Sequence, residues 1–379
     1  MRPAQWQEPG PGDAGIYVHV PFCLTRCGYC DFNAYAGLEH LRSPYARALE
    51  READHAAPGW EGVRFVSIFL GGGTPTTLPP GAIAGILRHL RRRFDVSPDA
   101  EVTCEANPDT VDEGSLSALR EGGVTRLSMG AQSFDLQVLD ALERVHRPEA
   151  VRRAMRAARA AGFDNVSLDL IYGARGETPG SWRRTLEEAL ALAPEHLSCY
   201  ALTIERGTPL GRKVAAGLEP APDPDAQADR YEVVCERLAA AGYRHYELSN
   251  WALPGRECLH NVGYWERRPF LGLGPGAHSA RDGRRWWNVR SPERYIAAVR
   301  EGDLPVAGAE RPDEEARRLE RLFLGLRLAE GIPTDWVPDE VAGRFVQQGL
   351  ARRENGRLAL TDRGMLLANE VVLAIDAAS

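Results

Sequence analysis

The stretch Gly15-Ile16-Tyr17-Val18-His19-Val20-Pro21-Phe22-Cys23-Leu24-Thr25-Arg26-Cys27-Gly28-Tyr29-Cys30 decides how this chain is read. Its first half alternates as a strand does, with Ile16, Val18 and Val20 on one face and Tyr17 and His19 on the other. Its second half is a loop with three cysteines in a C-x3-C-x2-C run. Three thiolates this close can hold three corners of a four-iron cluster, and no fourth cysteine follows closely to take the last corner. One iron is then open to a ligand. A structural zinc site with His19 or Asp31 as fourth ligand is the competing reading. It is weaker, because such sites usually pair two separated C-x2-C knuckles and no second pair is present.

Outward from this stretch, strand-like runs alternate with helical ones as far as about Thr208. The expected strands are Ile16–Val20, Phe65–Leu70, Glu101–Ala106, Arg126–Gly130, Asn165–Ile171 and His196–Thr203. Helical patterns cover Pro44–Ala56, Pro80–Phe94, Glu113–Glu121, Glu149–Ala161 and Gly180–Leu192. Such alternation predicts an α/β fold with a parallel sheet and helices outside it. One face of each strand is apolar and the other polar: Glu101, Thr103 and Glu105 oppose Val102, Cys104 and Ala106, and Ser167 and Asp169 oppose Val166, Leu168 and Leu170. A closed eight-stranded barrel is filled with bulky branched side chains. Six strands with a polar lining instead predict a partial (β/α)6 barrel around a wet, ligand-sized cavity.

Beyond the barrel, Arg212–Ala228 reads as a linker, Asp229–Ala241 as a helix and Tyr243–Leu248 as a strand. From Arg311 a helix, a short helix near Pro338–Gln348, a hairpin around Arg353–Arg357 and a final helix from Thr361 give a winged-helix-like order. The expected division is a flexible 1–14, a barrel over 15–210, an extension over 211–310 and a C-terminal α+β module over 311–379. That last module holds ten Arg against twelve Asp plus Glu, which disfavours duplex binding and favours packing or docking.

The 379 residues and 44% hydrophobic content suit a large enzyme-like domain with a smaller partner. A net charge of −7 argues against a nucleic-acid binder. Lys213 is the only lysine, a habit of composition in which we read no function. Met1–Gly15 has no apolar leader core, and no later run approaches eighteen apolar residues, so a cytoplasmic protein without a transmembrane segment is expected. Seven cysteines, an odd number with three clustered, fit a reducing compartment better than a disulfide framework. Cys104 and Cys235 read as structural, and Cys258 stays open.

The segment Gly15–Cys23 followed by C-x3-C-x-aromatic-C resembles the radical S-adenosylmethionine (radical SAM) superfamily, and nearly the whole chain from Gly15 is similar to its coproporphyrinogen III dehydrogenase-like group. The resemblance implies a [4Fe-4S] cluster on Cys23, Cys27 and Cys30, with SAM chelating the open iron and an electron donor to reduce it. In that superfamily the electron cleaves SAM to methionine and a 5′-deoxyadenosyl radical. Gly71-Gly72-Gly73-Thr74-Pro75 follows the second strand, where bare backbone lets a ligand approach, although an ordinary tight turn explains the glycines equally well. The resemblance sets the SAM ammonium against Gly72, Gly73 and Thr74, Arg144 at its carboxylate and Tyr29 beside its adenine. Tyr17 flanks the cluster stretch. Glu105, Gln132 and Asp169 end strands three, four and five; a carboxylate buried there without a partner is costly, and a cationic ligand supplies one.

Two features separate members of the group. The resemblance implies that the true dehydrogenases carry a further cysteine two residues after the third and a longer N-terminal extension. Here that place is Phe32, and the leading segment is short. The second feature, His260-Asn261-Val262-Gly263-Tyr264-Trp265, fits an HNxxYW motif of the group's haem chaperones, and imidazole is an ordinary axial ligand to haem iron. Judged without the resemblance, a lone histidine beside Tyr and Trp is more often a packed, hydrogen-bonded side chain. His278, in Gly274-Pro275-Gly276-Ala277-His278, is a second candidate ligand, with a Gly-rich turn as its plain explanation. The function expected from the resemblance is a haem chaperone that binds haem through the His260 region and passes it to an acceptor protein. The alternatives are an oxygen-independent coproporphyrinogen III dehydrogenase and a zinc-stabilised binding module.

Overall fold

The computed structural model describes residues 13–378. The flexible segment expected over 1–14 therefore lies outside the described residues, except at its end, where Ala14 is buried and opens the first strand. Six strands, β1 (Ala14–Val20), β2 (Arg64–Gly72), β3 (Asp95–Ala106), β4 (Arg126–Gln132), β5 (Val166–Tyr172) and β6 (His196–Ala201), lie side by side in chain order. All five pairings are parallel, as the alternation requires. The crossover helices include Arg42–Ala56, Ala82–Arg93, Glu113–Glu121, Pro148–Ala160 and Pro179–Ala191.

The two faces separate as their sequences dictate. Ile16, Val18, Ile68, Leu70, Val102, Leu127, Met129, Val166, Leu168 and Leu170 are fully buried in one continuous core with helix residues such as Leu49, Leu87, Val151 and Leu186. Burying each large apolar side chain contributes about 1.5–3 kcal/mol. Helix starts are written locally: Asp112 and Thr178 form capping boxes with Ser115 and Ser181.

The sheet does not stop at six strands. β7 (Arg244–Glu247) and β8 (Asn250–Ala252) extend it beyond β6, and β9 (Phe270–Leu273) pairs parallel to β1. β10 (His278–Arg281), β11 (Arg284–Asn288) and β12 (Val306–Glu310) continue from β9 as antiparallel strands. The result is one twelve-stranded sheet, ordered β12-β11-β10-β9-β1-β2-β3-β4-β5-β6-β8-β7. Residues 211–310 are thus continuous with the parallel core. The linker reading of Arg212–Ala228 is corrected: the helices Pro209–Ala215 and Pro224–Ala240 occupy much of it, with Pro224 in the first turn, where its missing N–H costs nothing.

The C-terminal part has its own sheet, β13 (Ile332–Pro333), β14 (Ala351–Glu354) and β15 (Arg357–Leu360), in the order β13-β15-β14. Helices Glu314–Gly325, Asp339–Gln347, Asp362–Leu366 and Ala368–Asp376 surround it. It docks by main chain, with Ala329 N donating to Tyr246 O at 3.0 Å, and by the pairing of His245 Nδ1 with Asp362 Oδ1 at 3.0 Å.

Candidate cluster and cofactor site

The cysteine loop leaves β1 and is pinned on several sides. Cys23 N donates to Tyr35 O, Tyr35 N to Pro21 O, and Leu210 N to Gly28 O, at 2.9, 2.7 and 2.8 Å. Gly73 N and Thr74 N donate to Val20 O and Phe22 O, both at 2.7 Å, and so tie the glycine run to the loop. A Cβ on Gly73 would lie 2.6 Å from Phe22 O, and one on Gly72, whose φ is 106°, would meet the His19 ring at 2.4 Å. Only glycine fits there.

Cys23, Cys27 and Cys30 open into one cavity of about 280 Å³ at the C-terminal ends of the strands. Tyr29, Gly72, Gly73, Thr74, Glu105, Gln132, Arg144 and Asp169 line the same cavity, so it gathers all the expected cluster and SAM residues except Tyr17. Thr74 Oγ1 donates to Cys23 Sγ at 3.6 Å, and Arg144 donates to Cys27 Sγ at 3.5 Å and to Gly130 O at 3.1 Å. Burial raises the Cys23 and Cys30 thiols above their ordinary value. Metal binding must displace those protons. Gln132 and Glu143, both lining the cavity, hold left-handed φ of 61° and 53°, a strain that clusters at working sites.

Glu105 and Asp169 face each other across the floor. Burial first, and then the charge of Asp169, push Glu105 up to about 8; a hydrogen bond from Gly72 N at 3.0 Å only partly offsets this. Burial also raises Asp169, which accepts from Ser128 at 3.1 Å and Ser167 at 3.2 Å. Beneath them lies a second cavity of about 210 Å³, lined by Tyr17, Phe32, Arg126, Ser198, Tyr200 and Asn261, among others. Arg126 is buried and its Nε has no partner among the described residues. Two buried carboxyls that stay above their ordinary range despite the nearby Arg126 charge, beside three convergent thiols, fit a cluster and a cationic cofactor. Arg126, Ser198 and Tyr200 escaped the sequence reading; their parity on β4 and β6 was the signal for them.

His19 is no fourth metal ligand: its ring nitrogens lie 2.9 Å from the Tyr17 hydroxyl and 2.9 Å from the Asn33 carbonyl. His260 stands apart from the cavity. It is 3% exposed on the helix Leu259–Trp265, which packs beneath β1 and β2. Nδ1 is 2.9 Å from Ser67 Oγ and Nε2 is 3.0 Å from the Tyr264 hydroxyl. Burial pushes its pKa down to about 3. Both ring nitrogens are engaged, so the expected haem ligand offers iron no lone pair in this arrangement. Glu101 completes the plug by accepting from Leu259 N and His260 N at 3.1 and 3.3 Å. Among the described residues, the cavity expected along the polar face lies towards the C-terminal strand ends, and the Leu259–Trp265 helix fills the other end.

Fold and site together define a radical SAM protein, and the family model described as Radical SAM superfamily matches residues 17–189. A heme chaperone HemW of Mycobacterium tuberculosis is 43% identical over 96% of this chain and 95% of its own length, and that of Bacillus subtilis is 34% identical over 94% and 97%. The chain belongs to the HemW heme chaperone family. Among solved structures, the coproporphyrinogen III oxidase HemN of Escherichia coli, described as a radical SAM enzyme, superimposes with a TM-score of 0.82 at 24% identity, covering 98% of this chain and 92% of that one. That likeness shows the fold.

Proposed function

We propose that this chain binds haem and hands it to an acceptor protein, and that it carries a [4Fe-4S] cluster on Cys23, Cys27 and Cys30 with SAM in the adjoining cavity. The observation that carries the reading is near full-length similarity to proteins named heme chaperone HemW, joined to a cavity where three thiols meet a pair of buried carboxyls. When bound, the cluster supplies an electron to SAM. Arg144 orients the Cys27 side of the loop and faces the cofactor carboxylate. Glu105 and Asp169 counter its cationic groups, and Tyr29, packed beside the apolar cluster of Val138, Leu142 and Ile171, walls off water at the adenine end. An electron donor and a haem acceptor are the partners this reading requires.

In this reading the parallel core is a partial (β/α)6 barrel, residues 211–310 its extension and 311–379 a winged-helix-like module. No helix among the described residues is long and apolar enough to cross a membrane, and all seven cysteines are free thiols. Both support work in the cytoplasm. Phe32 is 62% exposed at the cavity mouth, where the dehydrogenases would carry a further cysteine. The test is anaerobic reconstitution with iron, sulfide and SAM quantified, then haemin titration and transfer to apomyoglobin. Bound haem that moves to the acceptor is expected. Failure to bind haemin, or formation of protoporphyrinogen from coproporphyrinogen III, would overturn the chaperone reading.

A further inference from the structure

We infer that the haem carried by this chain is held on the β10–β11 face, with His278 as an axial ligand braced by Trp287 and Arg290 placed for a propionate. The inference rests on the chaperone reading and adds the site. It starts from the contrast with His260: His278 is exposed, and neither of its ring nitrogens has a hydrogen bond to a described residue. A neutral imidazole with a free lone pair is what haem iron takes. Partial burial lowers its pKa, opposed by the Glu310 charge and aided by that of Arg290, which favours the neutral ring.

The ring is also fixed in direction. His278 pairs with Trp287 across the β10–β11 ladder, and the two rings stack with centroids 5.7 Å apart at 28°. Trp287 in turn lies over Gly308 of β12, where a Cβ would come within 2.5 Å of the indole. Glycine there lets the indole rest against the sheet. An axial imidazole stands perpendicular to the porphyrin, so a tryptophan stacked on it braces the ligand and turns its edge to the macrocycle. The register of β9 with β1 and β10 puts His278 on the sheet face that carries Tyr17.

Below the platform the backbone is rigid. Gly274 N donates to buried Glu52 at 2.8 Å, Tyr295 donates to the same carboxyl at 2.6 Å, and Asn288 N donates to Ala277 O at 2.9 Å. Arg290 is exposed, and among the described residues its guanidinium makes only a 3.4 Å bond from Nε to Asn33 Oδ1, leaving its terminal nitrogens for a carboxylate. Asn33 also donates to Pro275 O at 2.9 Å and to Arg290 O at 3.0 Å. Since Asn33 follows Cys30 by three residues, haem at His278 would rest against the strand of chain that leaves the cluster loop.

Haemin titration of the full chain tests this by optical and resonance Raman spectra, with circular dichroism as the control for folding. Wild type is expected to bind with an imidazole-ligated spectrum. His278→Ala should lose that signature and weaken binding by at least about tenfold, and free imidazole added to His278→Gly should restore the signature. Arg290→Ala should weaken binding and leave the spectrum unchanged. An unaltered spectrum and affinity in a folded His278→Ala would overturn the site while leaving the chaperone reading in place. Absence of haem binding by wild type would overturn both.

Discussion

The polar face of the parallel core has two halves that look alike in sequence and behave differently. Towards the N-terminal strand ends, Ser67, Glu101, Ser167 and His196 meet partners from the 246–264 segment or from one another. Further along the strands, Glu105 and Asp169 are buried carboxyls held above their ordinary range, and Arg126, which opens β4, acts on both with an Nε that has no partner among the described residues. A polar group left short in the free protein costs about 1–3 kcal/mol, so it marks a place where a ligand completes the structure. A satisfied one marks packing. By that measure the cysteine cavity is the working half, and His260 belongs to the other.

The largest effect that can break this comparison is at the cluster. Cys23→Ser, Cys27→Ser or Cys30→Ser should each abolish stoichiometric iron and sulfide after reconstitution, while urea unfolding of the apo chain stays close to wild type. A large stability loss in the apo variants would make the cysteines packing residues after all.

His260→Ala tests the opposite half. It strands the Ser67 and Tyr264 hydroxyls and leaves a small void, and should cost about 2–4 kcal/mol in denaturant unfolding with SAM affinity unchanged. Wild-type stability together with lost haem binding would reverse the assignment of that half.

Glu105→Gln should weaken SAM binding by about 10–100-fold, the worth of a charged hydrogen bond, read by calorimetry on the reconstituted protein. The carboxyl titrates near 8 rather than at its ordinary 4.5, so the native chain keeps a proton that the unfolded chain has released between those values. Its contribution to stability is present below about pH 4.5 and falls as pH rises through 8. SAM affinity should rise over the upper part of that window, because a cation favours the ionised form. Both trends should flatten in the Gln variant.

The smallest effect sharpens the boundary. Lys213 pairs with Glu143 at 3.1 Å on the cavity rim, both side chains half exposed. Lys213→Ala should change stability by no more than about 1 kcal/mol and leave iron content intact.

The six parallel strands were legible because each is a run of alternating residues followed by an amphipathic helix. The cysteine cavity was legible because its residues sit at strand ends, where parity gives the face. The strands β7–β12 were mostly not: they are three to five residues long, too short for a period to declare itself, and the two joins that attach them to the core, β8 to β6 and β9 to β1, are made with partners far off in sequence. The fate of His260 was hidden for the same reason, since Ser67 lies 193 residues away. Its neighbours in the sequence advertise a ligand; its neighbours in space, Ser67 and Tyr264, engage both ring nitrogens. His278 carried little local signal, because its free nitrogens and its tryptophan brace exist only once the hairpin is folded.

The parallel pairing of Gly15–Val18 with Phe270–Leu273 has a consequence in time. During synthesis at about 5–20 residues per second, the outer edge of β1 waits roughly 10–50 s before its partner is made. For that interval the cysteine loop hangs from an open sheet margin, and the clasp from Asn33 to Pro275 and Arg290 cannot close. The metal pocket opens beside a seam of the sheet that closes late, so a nascent chain stalled before Phe270 would present its thiols on an unfinished edge.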